Sequence, residues 1–165
     1  MATPTNLPAS FVSGAILTAQ QQNDLRGAFR VLQVKSMGYS TQTNKADNTF
    51  SGFGLSDTIT PQSTTSKILV IAHVNGMFKG SETANNSISL KMLRGATQIY
   101  LTENCFFTGT AIANRGTQTL VALDSPASTS SLTYSVEFSN PNNSSSVAVQ
   151  FNGVTSSLYL FEISA

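Results

Sequence analysis

The most apolar run of the chain lies at residues 67–75, and it predicts the strand around which the fold is built. Residues 68–72 are all apolar, without the polar alternation of a strand that has one face in water. We therefore expect this strand to be covered on both faces, by a second sheet or by a partner chain.

The stretch before this run predicts a second strand. Residues 55–60 alternate between apolar and polar side chains and are rich in β-forming residues, which is typical of a half-buried strand. Pro61 then ends the strand, because proline has no N–H for a ladder and fixes the φ angle of a turn's second residue. Two strands and a turn thus make up residues 49–76.

From Arg30 onward the pattern predicts strands throughout. A hairpin turn is expected at Arg94 and Gly95, and further turns at residues 114–116 and 152–153. About ten short strands at turn-like spacing indicate an all-β fold, an antiparallel jelly-roll-like β-sandwich. The remaining predicted strands begin at residue 31 and cover residues 87–93, 97–102, 106–113, 118–123, 131–138, 147–151 and 157–163.

Residues 1–29 differ from the predicted sandwich domain at residues 30–165. Prolines and little periodicity in residues 1–10 predict an extended arm, and Thr18 with Gln21 matches the capping box of a short helix. Such a helix is not stable alone in water, so it must dock on its own domain or on a neighbour. As an anchor in a larger assembly, the segment would use its apolar residues Leu7, Phe11, Val12, Ile16, Leu17, Leu25 and Phe29.

Charge is sparse, at 10% of residues and a net +1, and about two-fifths of the chain is Ser, Thr, Asn or Gln. The nine basic residues are scattered, which argues against a nucleic-acid partner. No basic residue precedes Arg26, and the apolar residues 7–19 are too few to cross a bilayer. We therefore expect no signal peptide, no membrane insertion and folding in a cytosol.

The sequence offers little for catalysis or metal binding. A single cysteine, Cys105, excludes an intrachain disulfide and a Cys-based zinc site, and we interpret it as a small buried apolar residue. The only histidine, His73, lies in the apolar run, opposite to Ala72 and Val74, as expected for a core or interface histidine. There is no closely spaced acid pair and no phosphate-binding loop. We predict a non-enzymatic protein without cofactor or metal.

Two longer motifs and the last strand carry a resemblance. The motifs are L-P-A-S-F-V-S-G-A-I-L-T-A-Q-Q-Q-N-D-L-R at residues 7–26 and G-L-S-D-T-I-T-P-Q-S-T-T-S-K-I-L-V at residues 54–70, and the strand is S-S-L-Y-L-F-E-I at residues 156–163. All three resemble segments of small virion proteins of tailed bacteriophages, particularly of marine and cyanobacterial phages.

The resemblance implies a virion protein, made in the host cytoplasm, whose jelly-roll subunits form a homotrimer. Its N-terminal segment would join neighbours or other virion proteins of the tail or capsid, and the β-domain would face outward. The chain lacks the stalk of a long fibre, which favours a short tail fibre or receptor-binding tip. The alternative is a capsid decoration protein (a cement protein or head fibre), and a third hypothesis is a stand-alone lectin-like binding module.

Two sets of contact residues follow from these hypotheses. A host surface glycan would be held by aromatic faces together with amide and carboxylate groups. The loop-adjacent aromatic residues, which could also serve the core or the trimer interface, are Tyr39, Tyr100, Phe106 and Phe107. The predicted subunit interface comprises Ile68, Val70, His73, Tyr159 and Phe161.

Overall fold

The computed structural model describes residues 30–142 and 145–164, together with positions 14, 16, 18, 19 and 22. This part of the chain forms antiparallel strands in two sheets. In chain order the strands are β1 Val31–Tyr39, β2 Thr43–Lys45, β3 Ser51–Ile59, β4 Lys67–Lys79, β5 Asn86–Arg94, β6 Thr97–Thr108, β7 Asn114–Asp124, β8 Leu132–Ser139, β9 Val147–Val149 and β10 Ser156–Ile163.

The strand order is that of a jelly roll. One sheet runs β1-β10-β4-β9-β2 with β7 on the other edge of β4, and the second runs β3-β8-β5-β6. β10 pairs with the first half of β4, and β9 pairs with the last residues of β4 along the same edge. β2 pairs in turn with β9, so the short strands β9 and β2 continue the lines of β10 and β1. The principal strands therefore form two four-stranded layers, as in an eight-stranded jelly roll. The predicted antiparallel jelly-roll-like β-sandwich is confirmed.

The core lies between the two sheets, and β4 shows how the sequence fills it. Successive residues of a strand point to opposite faces, so only alternate members of the apolar run point inward. Ile68, Val70 and Ala72 are buried, whereas Leu69 and Ile71 between them are only half-buried. Across the core from β4, the second sheet contributes the buried side chains of Phe53, Leu55, Ile59, Ile88, Leu90, Met92, Tyr134, Val136 and Phe138.

One predicted strand is wrong. Residues 106–108 end β6 and residues 109–113 form a loop, while residues 114–116, predicted as a turn, begin β7. β6 continues past its polar residues because Asn104 and Phe106 adopt positive φ angles of 55° and 59°, which shift the register without ending the pairing with β5. The predicted hairpin turn at Arg94 and Gly95 is confirmed between β5 and β6.

The outermost strands of both sheets pair irregularly. A register shift interrupts the pairing of β1 with β10 and that of β7 with β4. One shift interrupts the pairing of β3 with β8, and three more lie between β5 and β6. Each long outer strand therefore departs from a regular ladder.

The N-terminal predictions lie almost wholly outside the described residues. The N–H of Gln22 donates to the carbonyl of Thr18 at 3.0 Å, the spacing of one α-helical turn. Ile16 is 93% exposed. The described residues include no helix long and apolar enough to span a membrane. The helix and the anchor role stay predictions, and outside the described residues lie Leu7, Phe11, Val12, Leu17, Leu25 and Phe29.

A polar cluster joins the two sheets at one edge. The carboxylate of Asp124 in β7 accepts hydrogen bonds from Nη1 of Arg94 at 2.8 and 2.7 Å and from the hydroxyl of Tyr134 at 2.7 Å. Burial, and then the bond to Asp124, raises the pKa of Tyr134 above its usual value. The cluster holds β7 against β5 and β8.

A buried lysine at the end of β4 links two loops through hydrogen bonds. The side chain of Lys79 is fully buried, and its ammonium donates to the carbonyls of Thr83 at 3.0 Å, Ile112 at 3.1 Å and Thr110 at 3.4 Å. An ammonium group has three donors, so all of them are used. One side chain therefore ties the loop at residues 80–85 to the loop at residues 109–113.

Candidate functional site

The outer face of the six-stranded sheet carries two rows of apolar side chains. In the first row Leu69 lies between Phe161 of β10 and Leu123 of β7. In the second row Ile71 lies between Tyr159 of β10 and Val121 of β7. Because paired residues of antiparallel strands point to the same face, these side chains are neighbours. We call this set the apolar patch, and it comprises Val34, Leu69, Ile71, Val121, Leu123, Tyr159 and Phe161.

The apolar patch is open to solvent in the described part of a single chain. Val34, Val121 and Leu123 are 52%, 51% and 56% exposed. The rings of Tyr159 and Phe161 stack with their centroids 6.4 Å apart. Single exposed apolar residues are ordinary on protein surfaces, whereas a contiguous group is a candidate contact surface.

The outer face of the four-stranded sheet has a different character. Lys91 and Glu137 form an ion pair of 2.9 Å there, and the ammonium of Lys91 lies 4.5 Å from the ring centroid of Phe50. The neighbouring outward position on β8 is Ser135, and on β6 it is Leu101, which is 39% exposed. The sandwich therefore has one apolar outer face and one mainly polar outer face.

The structure divides the predicted interface residues between two faces. Ile68 and Val70 are 0% and 1% exposed, so they belong to the core and cannot contact another subunit. His73, Tyr159 and Phe161 lie on the outer face, and their role in a subunit contact stays a prediction. The period-two rule places Leu69 and Ile71 at the surface positions that the prediction gave to Ile68 and Val70.

A polar row ends the apolar patch along β4. His73 lies between Ser157 of β10 and Thr119 of β7. Nδ1 of His73 and Oγ1 of Thr119 share a hydrogen bond of 3.0 Å. This bond satisfies one nitrogen of the only histidine. The polar row therefore lies between the apolar patch and the arginine site described next.

Beyond this row, an arginine rests on two aromatic rings. Phe78 of β4 pairs with Arg115 of β7, and the ring of Phe151 lies 4.2 Å from the ring of Phe78. The guanidinium carbon of Arg115 is 4.9 Å from the centroid of Phe78 and 4.6 Å from that of Phe151. This geometry is a double cation–π contact.

The turn between β9 and β10 folds over β4 to bring Phe151 into place. At Gly76, φ is +61°, and a Cβ there would lie 2.6 Å from the backbone nitrogen of Phe151. The close crossing therefore requires glycine. Next to it opens a pocket of about 300 Å³, here called the Arg115 pocket, whose walls include Asn75, Met77, Arg115, Thr117, Phe151, Asn152 and Val154.

The four aromatic residues predicted to contact a receptor do not form one site. Tyr39 lies beneath Gly54 on β3, and the other three belong to β6, on the opposite edge of the four-stranded sheet. Tyr100 and Phe106 pack on the core, whereas Phe107 is 51% exposed.

Phe78 and Phe151 were not among the residues predicted from the sequence. Their proximity depends on the pairing of β4 with β7 and on a turn more than seventy residues further along the chain. The only local signal was the predicted turn at residues 152–153, which follows Phe151 directly.

Titratable side chains are dispersed or engaged in structural contacts. In the described ranges no three His, Cys, Asp or Glu side chains lie close enough to hold a metal ion. Cys105 packs against the core with Sγ 3.6 Å from Oγ1 of Thr102. The buried carboxylate of Glu162 accepts bonds of 2.6 Å from the side chain of Gln33 and from the N–H of Gln62.

No protein-family model and no curated protein sequence matches the chain. Among solved structures, the chain is similar to a mutant VP2 protein of infectious bursal disease virus in derived T=1 particles, with 12% identity and a TM-score of 0.41. The alignment covers 96% of this chain and 41% of the VP2 chain, so this chain spans about two-fifths of the other's length. A likeness of this degree assigns no function to this chain.

Proposed function

We propose that the protein is a non-enzymatic structural component of a bacteriophage virion, where it acts as a homotrimer in an outward-facing short tail fibre or receptor-binding tip. The apolar patch is the observation that carries the proposal, because it offers a contact surface on one face of a domain whose other face is mainly polar. The motifs at residues 7–26 and 54–70 support the virion assignment through their resemblance to phage proteins.

The chemistry of the patch favours another copy of the same chain as its partner. The patch contains no charged residue, so its partner must also be apolar, and a second copy brings the same seven side chains. Four strands about 4.8 Å apart and two rows about 7 Å apart give it roughly 300 Å². A stable interface needs about 800 Å² per partner, so the patch would form the centre of a larger contact.

We expect the N-terminal segment to supply the remainder of that contact. The described domain begins at Arg30, whose N–H donates to Oγ of Ser164 at 2.9 Å. The next residue, Val31, is 53% exposed and pairs with Ile163 at the border of the apolar patch. The predicted anchor residues would therefore join the domain beside the surface they help to bury.

Light scattering on the full chain tests the trimer. We expect the mass of three chains at micromolar concentration, and we expect Leu123→Asp to give monomers because it places a charge in the patch. The matched control is Leu101→Asp, which changes an exposed leucine on the other sheet and should leave the trimer intact. A wild-type protein that stays monomeric would overturn the proposal.

Two binding assays test the place of the protein on the virion. Purified protein that binds to host cells supports the fibre or receptor-binding tip, whereas binding to expanded empty capsids instead would show a decoration protein. Deletion of residues 1–28 should abolish incorporation into particles. If the truncated protein still forms the trimer and binds its ligand, and the full chain joins no virion component, the protein would instead be a lectin-like module.

A further inference from the structure

The guanidinium of Arg115 is held in place without an acceptor. It rests on the rings of Phe78 and Phe151, and within the described residues its donors have no hydrogen-bond or ion-pair partner. An arginine stacked on aromatic rings keeps its five N–H donors in a fixed plane. Such a group is ready to bind a planar anion, and a carboxylate matches its geometry by accepting two parallel hydrogen bonds.

The Arg115 pocket supplies further donors and no opposing charge. Thr117 and Asn152 line the same space, and neither the hydroxyl of Thr117 nor the side-chain amide of Asn152 takes part in a hydrogen bond in the described chain. Glu82 lines the neighbouring pocket, and no acidic residue lines the Arg115 pocket. The pocket therefore favours a ligand that is both anionic and rich in hydrogen-bonding groups.

The size and walls of the pocket select for more than a bare anion. Its volume of about 300 Å³ is at the lower end for small-molecule sites and suits one sugar ring. Phe151 and Val154 provide apolar surface for the C–H face of such a ring, while Met77 behind them is fully buried. A free sulfate or acetate ion would leave these walls uncovered.

The backbone around the pocket is fixed before any ligand arrives. Gln150 and Asn152 adopt left-handed conformations with φ of 55° and 61°, and such strained residues concentrate at functional sites. The side chain of Gln150 is buried and donates to the carbonyl of Tyr39 at 3.2 Å, which fixes the turn against β1. The ligand would therefore lose little affinity to ordering of the site.

From these observations we propose that the Arg115 pocket binds a carboxylated sugar unit, a hexuronate, of a surface polysaccharide. This inference deepens the proposed function, on which it rests for its biological setting. Ile71 in the apolar patch and Met77 in the pocket wall are separated by about 20 Å along β4, so trimer contacts through the patch leave the pocket at the rim. A trimer would carry three such pockets and gain avidity for a repeating polysaccharide.

The test is a titration of the full-length protein with glucuronate, followed by NMR chemical shifts. We expect saturable binding with a dissociation constant of about 1 mM, typical of a single small polar ligand, and shifts centred on residues that line the pocket. Glucose, the neutral analogue, and acetate and sulfate, the bare anions, should each bind at least about tenfold more weakly because each lacks one of the two recognised features.

Arg115→Gln should weaken glucuronate binding by about tenfold or more, since it removes the charge-assisted bonds. The matched control is Arg30→Gln, which removes the same charge from an exposed position outside the pocket and should leave the affinity unchanged. Phe151→Leu should weaken binding to a lesser extent, because the guanidinium would lose one supporting ring.

Three outcomes would overturn the inference. They are glucose binding as tightly as glucuronate, acetate or sulfate binding as tightly as glucuronate, and Arg115→Gln binding like the wild type while its spectrum shows a folded protein. Light scattering on the same samples separates this inference from the proposed function. A trimer that does not bind glucuronate contradicts only the sugar site, whereas a monomer that binds it contradicts only the trimer.

Discussion

Replacing the buried Lys79 with methionine should lower the free energy of unfolding by about 3 kcal/mol. The carbonyl of Thr110 would keep a bond from the N–H of Ile112 at 2.9 Å, but the carbonyls of Thr83 and Ile112 would lose the only donors seen for them. Both bonds are part-buried, and loss of a hydrogen bond to a charged donor costs about 1.5–3 kcal/mol. The methionine offsets part of this sum because it fills the volume without the desolvation cost of an ammonium.

Urea unfolding measures this change. Circular dichroism is a suitable probe, since the chain contains no tryptophan for fluorescence. All variants should be compared at one protein concentration, because association adds to apparent stability. Lys35→Met is the matched control: Lys35 is exposed on β1, and its replacement should change the free energy by less than about 0.5 kcal/mol.

A Lys79→Met variant as stable as the Lys35→Met control would refute this reasoning. It would show that the two carbonyls find other donors when the ammonium is removed. Hydrogen exchange gives a second check. Loss of the hydrogen bonds from Lys79 should speed exchange in the loops at residues 80–85 and 109–113 before it affects β4 itself.

Three further predictions follow from single contacts. Tyr134→Phe should cost about 1 kcal/mol in urea unfolding, because Asp124 loses a hydrogen bond between the sheets; an unchanged midpoint would contradict this. The pKa of Asp47 is lowered from 3.8 to about 2, chiefly by a hydrogen bond from the side chain of Thr49 and then by one from a neighbouring lysine. Its contribution to stability should therefore be present above pH 3.8 and be lost as the pH falls through about 2, and an NMR titration midpoint near 3.8 would contradict this. Gly76→Ala should lower the thermal midpoint by several degrees, because its Cβ would meet backbone at 2.6 Å; Gly52→Ala, with no atom within 4 Å, is the control, and equal midpoints would refute the steric argument.

Local patterns were sufficient to predict most of the strands because alternation and turn residues are local signals. They predicted β3, β5, β8 and β10 within one to four residues at each end, and the break at residues 152–153 corresponds to the 3₁₀ turn Phe151–Gly153. Strand β6 was predicted too short, because bulges at Asn104 and Phe106 let a strand continue through polar residues. Bulges depend on the partner strand, which the pattern does not show.

The candidate sites were less predictable, and the apolar run shows why. When five consecutive residues are apolar, no polar residue marks the solvent side, so the sequence could not decide between Val70 and Ile71 for the outer face. The sequence predicted that both faces of this strand are covered. Its outer face carries the apolar patch. The Arg115 pocket brings together β4, β7 and the turn before β10, and such long-range contacts leave no periodic signal.

The register shifts at the outermost strands affect how one molecule can associate with another. A regular exposed strand is a template for pairing with further chains, and that pairing has no natural end. Here β1, β3, β6 and β7 each carry a register shift against their neighbour, which disfavours growth of the sheet from one molecule to the next. Association through the apolar patch can close on itself, whereas edge pairing would form open fibrils. The register shifts thus disfavour aggregation through the edges of the two sheets.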